Sequence, residues 1–188
     1  MGKKKFKTDL STDGIEKLIQ DLLNYKNNEL QQKVDLLART LAEKGVKIAK
    51  ANITKLDAIF TGELLSSVHL EQGNSGGGKA VFFVVADSEH AAFVEFGTGQ
   101  LGKEAPYPFP LPPGVDWQYN TGKTIRQAKE DIYVGGSVYV SVGEYFWSYI
   151  GKDGKLHITK GMPSRPFLHE TTIELMQTVE KTAKEIFK

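Results

Sequence analysis

The first residues to test for chemistry are the four histidines, His69, His90, His157 and His169. No two of them stand in HxxxH or HExxH spacing, the arrangement that presents two imidazoles on one helix face to a zinc ion. A lone histidine on a strand or at a helix end more often serves structure, so no metal site is expected. Glu89 and Glu95 offer an acid/base pair only if folding brings them together, and nothing in their spacing does so. No GxSxG nucleophile turn and no EF-hand loop occurs. The glycine-rich stretch Gly73-Asn74-Ser75-Gly76-Gly77-Gly78 is a weak phosphate signal: no GK[ST] follows, and no helix opens behind it to hold an anion. The aromatic run Tyr145-Phe146-Trp147-Ser148-Tyr149 has the faces to stack bases but no accompanying basic patch, so packing explains it better. These residues assemble no catalytic set, no cofactor site and no metal site, and the chain is read as a non-enzyme.

Two charged residues stand out on other grounds. Glu95 lies in EHAAFVEFGTG, among Ala91, Ala92, Val94 and Phe96 and just before Gly97-Thr98-Gly99. Arg165 lies in GMPSRPFLHETT, between Pro163 and Pro166. A guanidinium held next to an apolar turn suits a bidentate pair with a carboxylate, within the chain or across a subunit boundary. The alternative is a solvated arginine without a specific partner.

The elements that position these stretches follow from periodicity. Ile15, Leu18, Ile19, Leu22 and Leu23 share one helical face, with Asp13 as the cap and Glu16 reaching back. Asn24 and Asn27–Asn28 break the pattern. A second helix runs from about Glu29 to Ile53 on Leu30, Val34, Leu37, Leu41, Ile48 and Ile53, with a kink possible at Gly45. After a turn at Thr61–Leu64, Leu65–Gln72 and Lys79–Ala86 read as two strands joined by the glycine-rich loop. Ala91–Phe96 makes one helical turn. Five prolines between Gln100 and Gly114 exclude a helix or an interior strand there. Residues 99–143 therefore read as an insertion, with strand character over Ile132–Val142. A hairpin follows, Tyr145–Ile150 and Leu156–Thr159, around the turn Gly151–Gly154. A last helix opens near Phe167.

Bulk properties bound the class. The 188 residues suit one domain with a large insertion: a basic N-terminal arm at 1–10 and a single domain at 11–188. Apolar residues at 40% suffice for a core, and a net charge of +1 gives no global pull toward nucleic acid or a membrane. The absence of cysteine excludes disulfides, thiol chemistry and cysteine-ligated zinc. No apolar run is long enough to span a bilayer. The basic start MGKKKFKTDL has no apolar segment behind it and no Ser or Thr at Phe6, so neither a secretory leader nor myristoylation is expected. A soluble protein made in the cytoplasm is the expectation. The arm itself, Lys3, Lys4, Lys5 and Lys7, is either a contact for phosphate or an acidic partner, or a solvated terminus.

Four motifs in order then carry a resemblance: Thr61-Gly62-x-Leu64 with Ser67; Ala92-Phe93-Val94-Glu95-Phe96-Gly97-Thr98; the hairpin with Trp147, Gly154 and His157; and Gly161-Met162-Pro163-Ser164-Arg165-Pro166-Phe167-Leu168. In these the chain resembles the tail-completion, or head–tail joining, proteins of long-tailed bacteriophages and prophages, from roughly residue 25 onward. The length of 99–143 departs from that pattern. The resemblance implies an α+β fold, with helices on one face of an antiparallel sheet of about four strands and a long loop insertion. It implies a structural virion protein of the tail or neck, not an enzyme. Such a protein forms a ring, expected to be hexameric, between the tail tube and the head connector, without membrane and with nucleic acid only incidental. Glu95, Phe96, Gly97, Thr98, Arg165 and Phe167 become the candidate subunit or partner interface, linked by Phe96 against Phe167 or by Glu95 with Arg165. The alternative function is a nucleic-acid-contacting module using the N-terminal arm.

Overall fold

The computed structural model describes residues 5–9, 11–58, 62–119, 125–150 and 153–188. Lys3 and Lys4 of the arm, Thr61 of the first motif and the Gly151–Lys152 half of the hairpin turn lie outside the described residues. The fold class is α+β. Among the described residues the strands form three small antiparallel sheets rather than one of about four strands: β1 (Val68–Gln72) with β2 (Phe82–Ala86); β6 (Tyr145–Ile150) between β3 (Arg126–Gln127) and β7 (Leu156–Thr159); and β4 (Ile132–Val134) with β5 (Ser137–Val140). Two compact units divide the chain: Met1–Asn52 with Leu65–Ala86 and His169–Lys188, and Ile53–Leu64 with Asp87–Leu168.

In the first unit, α1 (Thr12–Asn24) begins two residues earlier than a cap at Asp13 implies. Ser11 is the cap: its hydroxyl accepts the Gly14 N–H at 3.0 Å. Where the asparagines predict a break, the chain instead passes through a π turn, Tyr25–Glu29, into α2 (Leu30–Lys55). Asn28 Nδ2 donates to Asn24 Oδ1 at 2.6 Å along that turn. Residues that compete with helical hydrogen bonding have here widened the helix rather than ended it.

Helix α2 is continuous through Gly45. Its fully buried positions in this unit are the small residues Ala42, Gly45 and Ala49, with Asn52. The larger Leu30, Val34, Leu37, Leu41 and Ile48 flank that line half-buried. The reason is close approach. A Cβ on Gly45 would lie 2.7 Å from Val84 Cγ2 and 2.9 Å from Leu175 Cδ1. Val84 belongs to β2 (Phe82–Ala86), paired antiparallel with β1 (Val68–Gln72), and Leu175 to α6 (Phe167–Ile186). Glu63–Ser67 forms the short helix α3, which shortens the first strand from the expected Leu65 start. The register Leu70↔Val84 puts Val68, Leu70 and Val84 on the helix side and turns Phe83 outward. Gln31 pins the glycine-rich loop, accepting from Gly78 N–H at 2.8 Å and donating to Lys79 O at 3.1 Å. Polar groups inside α6's packing are paired: Asn52 Nδ2 donates to Thr171 Oγ1 at 3.4 Å, and Lys44 Nζ to Thr182 Oγ1 at 2.7 Å.

In the second unit, α4 (Ala91–Phe96) is followed by α5 (Gly99–Glu104), where an extended loop was expected. The prolines begin only after α5, so they end it rather than prevent it. Further on, β3 (Arg126–Gln127) adds to β6 (Tyr145–Ile150), which pairs with β7 (Leu156–Thr159) at the expected bounds. Ile132–Val142 is a hairpin, β4 (Ile132–Val134) and β5 (Ser137–Val140). Its turn residues Gly135 and Gly136 have φ of 61° and 86°, the conformation of a two-residue hairpin turn. The short strand β8 (Gly161–Met162) completes the order.

Candidate functional site

Helix α4 delivers the EHAAFVEFGTG stretch. It stops at Gly97, whose φ of 81° a glycine adopts without strain and whose N–H returns to Phe93 O at 2.8 Å. The next residues pair antiparallel with β8, Thr98 opposite Met162 and Gly99 opposite Gly161. Glycine is required on both sides of this contact. A Cβ on Gly99 would stand 2.2 Å from Lys160 O, and one on Gly161 2.0 Å from Thr98 O.

The connector is then tied to α4 residue by residue. Ser164 Oγ donates to Glu95 O at 2.6 Å, and Arg165 N–H to Val94 O at 2.8 Å. The Glu95 carboxylate, 5% exposed, accepts the Leu168 N–H at 2.8 Å in the first turn of α6. Glu95 thus supplies an acceptor that the helix lacks in its own first turn, and its negative charge sits where the helix dipole favours it. Phe167, 0% exposed, anchors the same turn.

The proline-rich segment folds onto this clasp. Trp117 Nε1 donates to Gly97 O at 2.8 Å, and Gly99 N–H to Tyr119 O at 2.6 Å. The Phe96 ring meets Tyr107 at 5.0 Å and Trp117 at 5.1 Å between centroids, and Phe93 meets Trp117 at 5.8 Å. Burial, and then the nearby charge of Glu95, hold the Tyr107 hydroxyl above the usual tyrosine range.

The two stretches singled out in the sequence are therefore adjacent, although Glu95 is not linked to the Arg165 side chain. Glu95 reaches a backbone N–H, and the Arg165 side chain, half-buried, forms no ion pair with a described residue. Gly97 is buried and Thr98 half-buried in the strand pairing. Sequence reasoning missed Ser164, Tyr107 and Trp117. The aromatics scattered among the prolines were the available signal, since a solvated polyproline loop has no need of them.

Glu89 is exposed while Glu95 is buried. His69 contacts Ser67 O and Glu71, and His157 contacts Asp153 and stacks on Tyr149. Among the described residues, no group of three or more histidines and acids could hold a metal ion. No helix among them is long and apolar enough to cross a membrane.

Residues 16–97 match the model of the HK97-gp10-like family, described as "Bacteriophage HK97-gp10, putative tail-component". No curated protein matches the chain. No solved structure matches it either. The family match agrees with the resemblance to phage neck and tail proteins, and it ends inside the clasp, at Gly97.

Proposed function

We propose that this chain completes a bacteriophage tail at its head-proximal end and helps join head to tail, acting as an oligomeric ring of six copies. The family match over residues 16–97 carries the reading. Its partners are further copies of itself, the tail tube and the head connector. It is made in the host cytoplasm and ends in the virion neck.

The clasp fits such a role as a rigid connector. Three hydrogen bonds described above join the two motifs, and Trp117 ties the proline-rich segment to Gly97. Arg165 remains as a half-buried cation whose guanidinium suits a carboxylate on a neighbouring subunit. A ring gains affinity by repeating one contact between different patches until it closes.

The test is electron microscopy of lysates of a phage whose copy of this gene is deleted. Full heads and finished tails lying apart, rejoined when purified protein is added, are expected. Normally joined virions would remove the assembly reading, and salt-dependent DNA binding through the N-terminal arm would then be measured instead.

A further inference from the structure

Helix α1 has no buried residue. Ile15, Ile19, Leu22 and Leu23 lie together on its surface at 42–48% exposure, a stripe about 100° wide. The neighbouring face is already taken. Phe6 stacks edge-on against Tyr25 at 5.8 Å, and a Cβ on Gly14 would touch Thr8 and Asp9. The N-terminal segment thus lies along the Gly14–Tyr25 side and leaves the isoleucine–leucine side open. A 13-residue helix with an uncovered apolar stripe is marginal in water.

The same unit carries a second open stripe. On α6, Thr171, Leu175, Thr178 and Thr182 turn inward, while Ile173, Met176 and Val179 are 46%, 66% and 41% exposed. Each stripe extends over two turns of helix. An isologous contact, α1 on α1, would cover one stripe and leave the other in water. A heterologous contact, α1 on the next copy's α6, covers both with a single repeated interface, and such contacts form a ring where the rotation between copies closes.

We infer that α1 of one copy docks its Ile15–Leu23 stripe on the Ile173–Val179 stripe of the next copy's α6. The inference rests on the ring reading and names the surfaces that build it. The area fits weak pairing strengthened by closure. Four half-exposed aliphatic side chains offer on the order of 200–300 Å² of apolar surface. That is well below the ~800 Å² per partner of a stable dimer, so an isolated pair dissociates readily.

The chain contains no cysteine, so single thiols can be placed at will. Ile19→Cys and Met176→Cys are prepared separately in the full chain, mixed at high concentration and treated with a short bismaleimide. Crosslinked dimer is expected in the mixture and to be scarce in either variant alone. Two further substitutions orient the contact. Met176→Asp added to the Ile19→Cys chain leaves the crosslink intact, because that chain contributes only its α1 to it. Ile173→Asp added to the Met176→Cys chain lowers the crosslinked fraction about tenfold, because an unpaired carboxylate enters the contact. Crosslinking in Ile19→Cys alone, or none in the mixture, overturns the inference. Imaging of wild-type chain on tail tubes separates the two levels. Rings that persist in Ile19→Asp sink the helix pairing and leave the ring standing, whereas absence of rings from wild type sinks both.

Discussion

Replacing Glu95 by glutamine isolates the charge in the clasp. Glutamine keeps the volume and one acceptor oxygen for the Leu168 N–H, now 2.8 Å from Glu95 Oε2. A charged hydrogen bond contributes about 1.5–3 kcal/mol and a neutral one about 0.5–1.5 kcal/mol, so the bond itself weakens by about 1 kcal/mol. The favourable position at the start of α6 adds up to about 1 kcal/mol more. Relief from burying a charge works in the opposite direction. With the bond and the helix end both acting on one buried oxygen, a net loss of about 1–2 kcal/mol is expected. Glu95→Ala removes the hydrogen bond to the Leu168 N–H altogether and leaves a cavity, for about 3 kcal/mol. Urea unfolding followed by far-UV circular dichroism and tryptophan fluorescence reads both. With a slope of about 2 kcal/mol per molar, the midpoints fall by about 0.5–1 M and 1.5 M. A glutamine variant as stable as wild type, or more so, would show that desolvation outweighs the cap and refute this account of why a carboxylate is buried there.

Gly161→Ala combines a φ of 102° with a Cβ 2.0 Å from Thr98 O and is expected to cost about 3 kcal/mol. Gly136→Ala has a φ of 86° but open space and should cost only about 1 kcal/mol, so equal urea midpoints for the two would deny the close approach. The raised pKa of Tyr107 means the fold favours its neutral form. That stability is complete below the ordinary tyrosine pKa and is lost as pH rises through the raised one. Absorbance at alkaline pH should show one late-titrating tyrosine that Tyr107→Phe removes; an unchanged titration curve would place Tyr107 in water.

The sequence foretold most where local chemistry decides alone. The Tyr145–Ile150 and Leu156–Thr159 hairpin has its expected bounds because runs of aromatic and β-branched residues flank the glycine-containing sequence 151–154. Ile15 to Leu23 do share a helix face, but periodicity says only that a stripe exists, not what covers it. Gly45 reads as a helix weakness in isolation and is a packing surface in the fold, because Val84 and Leu175 come from distant parts of the chain. Glu95 and Arg165 were recognisable as unusual. Their neighbours were legible, their partners were not: Glu95 bonds to a backbone N–H, a donor every residue carries and no side-chain pattern reveals.

The pairing of Thr98–Gly99 with Gly161–Met162 also fixes both ends of everything between them. Once those ends are joined, chain length inside the loop enters the free energy only as a logarithm. Doubling or halving the roughly sixty residues would change the closure entropy by about 0.6 kcal/mol. One methyl group at Gly161 costs several times that. The span between the motifs is therefore where length can drift from one protein to another at little thermodynamic penalty, while the glycines that close it cannot change at all.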